Sequence, residues 1–377
     1  MKNLTQLILL LVLGNFSLFV FTNCEGAIEE TITIGSTLDL TGPNAVYGDQ
    51  VREGINLAVS EINNAGGING KPIEILFQDS KSNPSDAVTN ANRFISINGV
   101  EVIIGEISSN ATIALVSVAE ENDIFLFAPA SSSPDLANIS ENFARNWPSG
   151  NAEAGSAAEF AFNHQNHQTA MILYVNSYYG QGLNRTFRSV FGAAGGEVIS
   201  SESFEVDETN FRQIFSRVRS QQPDVVYLAG NPREMGRAIR QMRELGIETP
   251  VISNTGFLQS DCLSIAGSAA EGVIIPTPSY DPSAAEEGRI STFYENFKKE
   301  YDKEPSLIHA NSYDAIYLIA DAIKEVGYNG VSIAEYLRNK KEFDGAAGLV
   351  SFTDGEVEVP ITFKIIKNGE ARTYLEN

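Results

Sequence analysis

Short runs of β-branched and other apolar residues alternate along the chain with longer stretches in which apolar side chains recur every three or four positions. These are the two periods of strand and helix. From residue 31 the alternation predicts a strand over 31–38, a helix over 50–63 with Ile55, Ala58, Val59 and Ile62 on one face, and a strand over 73–78. Between the last two, Gly66-Gly67-Ile68-Asn69-Gly70-Lys71-Pro72 is dense in turn residues, with Asn69-Gly70 suited to positive φ. A helix over 85–97, a strand over 101–105, a helix over 110–120 and a strand over 124–128 complete a first βα series. A second series starts after Trp147-Pro148, with helices over 152–162, 181–194, 210–220 and 234–245 and strands over 170–175, 197–204, 224–229 and 251–253. Past residue 272, helices over 290–301 and 310–326 follow one another without a strand between them, which fits a return to the first series. Strands over 348–352 and 361–366, parted by Thr353-Asp354-Gly355, are assigned to the second. The expected fold is α/β, two doubly wound parallel-sheet lobes joined by a hinge. The first lobe comprises 31–148 and 276–347, the second 149–275 and 348–377.

Length supports two lobes, because 377 residues exceed what one core of about 150 residues usually organises. The 26 Lys and Arg against 48 Asp and Glu give a formal charge of −22, which repels phosphate backbones and anionic lipid headgroups, so nucleic acid is not an expected partner.

The first residues differ from the rest. Lys2 is followed by an almost wholly apolar run over 7–21 and then Thr22-Asn23-Cys24, the pattern of a signal peptide over 1–26. Gly14, Asn15 and Ser17 interrupt the run, which is shorter than the roughly 20 apolar residues a membrane span needs. Cys24 stands where a lipidated cysteine would follow cleavage, which would anchor the protein to the membrane; ordinary cleavage near Gly26 or Ala27 is the alternative. Without Cys24, Cys262 has no disulfide partner, and in Ser260-Asp261-Cys262-Leu263-Ser264 it reads as a small buried side chain.

In an open parallel sheet, ligands sit beyond the carboxyl ends of the strands. Two loops there are rich in hydroxyls: Gly105-Glu106-Ile107-Ser108-Ser109-Asn110 and Ala128-Pro129-Ala130-Ser131-Ser132-Ser133-Pro134. Hydroxyls and unpaired N–H groups converging at helix starts form a neutral cradle for an anion such as a carboxylate. The same serines can instead simply cap their own helices. Markers of catalysis are missing: the sequence has three histidines, His164, His167 and His309, with no Cys, Asp or Glu completing a metal set beside the first two. It contains no nucleophile elbow, phosphate loop or dinucleotide fingerprint. No enzyme activity, metal or cofactor is expected.

Four motifs taken together carry a resemblance. Thr41-Gly-Pro-Asn-Ala-Val-Tyr47-Gly-Asp-Gln50, Gly66-Gly-Ile-Asn-Gly-Lys-Pro72, Tyr179-Gly-Gln-Gly-Leu183 and Ala269-Ala-Glu-Gly272 resemble, in order and spacing, the Leu/Ile/Val-binding branch of type I periplasmic binding proteins. The resemblance implies a monomeric receptor that closes two lobes over a small molecule and delivers it to an ABC transporter permease. It further implies that Ser109, Ala130 and Ser132 hold a carboxylate, that Tyr47 walls the cleft, and that Tyr179 covers the ligand on closure. In the second lobe the family's amine-binding positions match Asn231 and Thr255, neither of them acidic. A buried ammonium without a counter-charge is expensive, so keto, hydroxy and aromatic acids and neutral amides stand beside amino acids as expected ligands. Glu106, Asp261 or Glu234 could supply the charge from another direction, though surface charge is the commoner role of such residues. A sensory ligand-binding protein of the same fold is the alternative to a transport receptor; a sensor would be expected to continue into a membrane segment beyond Asn377.

Overall fold

The structure is a computed structural model that describes residues 31–353 and 356–374; the expected signal peptide and Cys24 lie outside the described residues. The first lobe is built from β1 (Ile32–Leu38), α1 (Ala45–Asn64), β2 (Ile73–Asp79), α2 (Pro84–Asn98), β3 (Val102–Ile104), α3 (Ser109–Glu121), β4 (Phe125–Ala128) and β5 (Phe143–Arg145). Its five strands are parallel in the order β2-β1-β3-β4-β5. β1 is buried at six of its seven positions, because helices cover both faces of the sheet.

The second lobe follows with α4 (Gly150–Glu159), β6 (Thr169–Val175), α5 (Tyr178–Ala194), β7 (Glu197–Phe204), α6 (Arg212–Gln221), β8 (Val225–Ala229), α7 (Pro232–Glu244), β9 (Val251–Ser253), α8 (Ser260–Ala266) and β10 (Ile274–Pro278). The chain then returns to the first lobe through α9 (Gly288–Tyr301), α10 (Leu307–Val326) and α11 (Gly330–Arg338). α10 buries apolar residues on every side, among them Ile308, Ile316, Leu318 and Ile323, as a helix does when it lies inside a lobe.

β11 (Glu342–Gly345), β12 (Gly348–Thr353) and β13 (Glu356–Glu358) form a separate antiparallel sheet. Phe343, Val350 and Val357 turn their side chains into the first-lobe core. The β11–β12 turn is pinned to α10, where Asp314 accepts the N–H groups of Ala346 and Ala347 at 2.7 and 2.9 Å. The expected strand over 348–352 therefore packs with the first lobe, a correction to its assignment. Only β14 (Ile361–Lys367) and β15 (Glu370–Thr373) rejoin the second lobe. They extend its sheet to seven strands in the order β15-β14-β10-β9-β8-β6-β7. β14 runs antiparallel to β10, and β15 antiparallel to β14, so this sheet is mixed where an all-parallel one was expected.

The chain crosses between lobes after β5, after β10 and after β13. In both sheets the strand order reverses beside the first strand, between β1 and β3 and between β6 and β8. Such switch points leave a crevice at the carboxyl ends of the strands.

Candidate ligand cleft

The two crevices face each other and enclose a cavity of about 310 Å³, near the small end of ligand pockets in proteins. Every one of Tyr47, Ser109, Ala130, Ser132, Tyr179, Asn231 and Thr255 lines it.

On the first-lobe side, α3 begins at Ser109 with no side chain capping its N-terminus, so its first N–H groups open toward the cleft. Ser109 Oγ accepts the Ser133 N–H at 3.2 Å, which leaves its own proton to donate. The serines at 131–133 have divided roles. Ser131 is buried behind the loop, its hydroxyl 2.5 Å from Thr112 Oγ1 and donating to the Glu106 carbonyl at 3.0 Å. Ser133 caps the following turn by accepting the Asp135 N–H at 3.2 Å, the bland role open to any of these serines. Ser132 alone of the three faces the cleft.

The second-lobe side holds a residue that the sequence reading missed. Thr255 donates both its N–H and its hydroxyl to Oε1 of Glu153, and Glu153, in the first turn of α4, lines the cleft with only 7% exposure. Burial pushes its carboxyl up to about 7, against the pull of the two Thr255 hydrogen bonds. Both bonds fall on Oε1, and Oε2 remains for a ligand. Tyr179 packs beside it, its hydroxyl accepting from Asn254 Nδ2 at 2.9 Å, with its phenol raised by burial first and by Glu153 next. Asn231 precedes α7 and makes no side-chain cap.

The other acids considered for this role do not line the cavity. Glu106 lies under the first-lobe loops, where Thr37 donates to it at 2.9 Å; burial and the neighbouring Asp39 carboxyl raise its own carboxyl well above the usual range. Glu234 is fully buried and accepts the Asp207 N–H at 2.7 Å. Neither is a surface charge, contrary to the commoner expectation. Asp261 pairs with Arg233 at 3.1 Å. The only local mark of Glu153 is its place in the first turn after the N-cap Ser149, which any solvent-facing acid at a helix start shares.

Contacts between the lobes close the cleft. Asn110 Oδ1 accepts the Tyr178 N–H at 3.0 Å, Ser133 donates to the Tyr178 carbonyl at 3.2 Å, and Gln50 donates to Gln259 at 3.0 Å. Tyr47 reaches across to Gly256, where an added Cβ would stand 3.0 Å from its hydroxyl. Trp147, Ile107 and Ile308 supply apolar wall. Cys262 is buried, with no exposure.

Comparison with known proteins agrees with this geometry. The family model for periplasmic binding proteins matches residues 31–370. A Leu/Ile/Val-binding protein homolog of Brucella suis is 30% identical, covering 89% of this chain and 90% of its own length. Among solved structures, the leucine-binding protein LivK of Thermotoga maritima superposes with a TM-score of 0.86 at 28% identity, covering 92% of this chain and 98% of that one. LivJ of Streptococcus pneumoniae, solved with isoleucine, gives 0.83 at 25% identity, covering 91% and 98%. The protein belongs to the periplasmic binding proteins, in the branch of the Leu/Ile/Val-binding receptors, which bind substrates and do not transform them.

Proposed function

We propose that this chain is the extracytoplasmic receptor of an ABC importer, handing its ligand to a membrane permease, and that the ligand is a small apolar α-amino acid. Family membership implies export and a transport role. Glu153 carries the choice of ligand. An ammonium set against Oε2 would gain the counter-charge that a buried cation requires, and the carboxylate would gain a partner that offsets its own burial. At the other end, the Ser109 hydroxyl, the Ser132 N–H and the open start of α3 suit a carboxylate. The apolar wall of Trp147, Ile107 and Ile308 fits an aliphatic side chain. The ligand docks first on the first lobe; closure then brings Tyr179, Asn231, Thr255 and Glu153 over it, stabilised by contacts absent from the open form.

The raised carboxyl of Glu153 also supports a second reading. Protonated, it would donate a hydrogen bond to a keto, hydroxy or aromatic acid. A thermal-shift panel of L-leucine, L-leucinamide, 4-methyl-2-oxopentanoate and benzoate separates the two, since ligand at 100 times its Kd stabilises by about 2.7 kcal/mol. The amino acid reading expects L-leucine to give the largest shift. A shift with the keto acid and none with any α-amino acid overturns it.

A further inference from the structure

Arg145, the last residue of β5, is wholly buried. Its Nη1 donates to the carbonyls of Ser131 and Ser133 at 3.2 and 2.9 Å. Its Nε donates to both carboxylate oxygens of Glu356 at 3.0 and 3.1 Å, and Nη2 to one of them. Glu356 opens β13, and a few residues later the chain enters β14 in the other lobe. The guanidinium thus joins the cradle loop to a segment that connects the lobes.

The consequence lies in the peptide planes. In a trans peptide the N–H points opposite to the C=O. With the Ser131 carbonyl turned back onto Arg145, the N–H of Ser132 is aimed the other way, on a residue that lines the cleft. The next peptide is held at both ends: the Ser132 carbonyl accepts the Gly150 N–H at 2.7 Å, and the Ser133 N–H donates to Ser109 at 3.2 Å. A charged donor on a carbonyl also polarises its peptide, strengthening the N–H as a donor.

We propose that Arg145 is the positioning residue of the cradle, aiming and polarising the Ser132 N–H toward a ligand carboxylate, with Glu356 fixing the guanidinium in that orientation. The proposal rests on the cleft being a carboxylate site. The pair R145M/E356Q is changed together so that no buried charge is left alone, and R145K keeps the charge without the fork that spans the two carbonyls and Glu356 at once.

Amide hydrogen exchange of the ligand-free protein is followed over 130–133, with 251–256 in the second lobe as the reference segment. Exchange over 130–133 rises at least tenfold in the folded double variant and in R145K, while 251–256 keeps its wild-type rate. Wild-type rates over 130–133 in either folded variant overturn the proposal. The carboxylate-specific readout is the affinity ratio of L-leucine to L-leucinamide by calorimetry. Positioning collapses this ratio at least tenfold, whereas a merely structural role lowers both affinities together and leaves the ratio unchanged. If L-leucine does not bind the wild type, the proposed ligand fails, while the exchange result still decides the role of Arg145.

Discussion

Replacing Glu153 by Gln is expected to move binding and stability in opposite directions. The amide keeps the shape and retains an oxygen to accept both Thr255 bonds, so the change isolates the charge. In the ligand-free protein that charge is a burden. Burial lifts the carboxyl from 4.5 to about 7, and at about 1.4 kcal/mol per pH unit this costs the fold about 3 kcal/mol. The sign follows from the raised value. Below 4.5 the group is protonated in both folded and unfolded chains and costs nothing; the cost grows from there and is complete above about 7. Glu153→Gln should therefore stabilise the ligand-free protein at about pH 8, by up to about 3 kcal/mol, and leave it unchanged at about pH 4. Affinity for an α-amino acid should fall by about 2 to 5 kcal/mol, the loss seen when one partner of a buried charge pair is removed, or at least about 30-fold. Urea unfolding across pH and calorimetric titration with L-leucine read the two effects. A variant no more stable at high pH than the wild type, or one that binds L-leucine unchanged, refutes the account of Glu153.

Three further substitutions probe other parts of the structure. Ser109→Ala should weaken binding by about 1 to 3 kcal/mol in calorimetry; unchanged affinity removes Ser109 from the site. Gly256→Val places methyl groups where a Cβ already stands 3.0 Å from the Tyr47 hydroxyl, so closure is obstructed. Affinity should drop about tenfold by overpacking, and small-angle scattering should show a more open particle with ligand; a wild-type closed form contradicts this. His309 is held down to about 4 by burial, and it accepts the Ser306 N–H on Nδ1 at 2.8 Å. Its contribution is full above 6.5 and is lost as pH falls through about 4, roughly 3 kcal/mol in all. His309→Gln should flatten the acid limb of the stability profile between those values, and an unaltered limb would count against it.

Much of the architecture was legible in the sequence because each βα unit carries its own period. The strand over 197–204 has its expected bounds, the helices over 181–194 and 310–326 begin three residues earlier than expected, and that over 50–63 begins five earlier, at Ala45. What escaped was nonlocal. β5 is three residues long, and nothing in Phe143-Ala144-Arg145 distinguishes a strand. β12 alternates like any half-buried strand, and the contacts that assign it to the first lobe, the Asp314 carboxylate on α10 and the core that takes Val350, are nonlocal. The cradle loops announced themselves because hydroxyls cluster within one short segment. Glu153 did not, because its role depends on Thr255, about a hundred positions further along. An acid in the first turn of a helix ordinarily faces solvent and favours the helix dipole. Here it turns instead toward Thr255 of its own lobe.

The central claim is that the cleft balances a carboxylate on its hydroxyl cradle against an ammonium on Glu153. It is tested most directly by counting protons on binding at pH 7, from calorimetric titrations of the ligand in buffers of different ionisation enthalpy. With its carboxyl at about 7, Glu153 is about half protonated in the free cleft, and an ammonium beside it lowers that value. Binding should therefore release about half a proton per ligand. Proton uptake, the result of placing an anion beside a carboxyl that must then stay neutral, would contradict it.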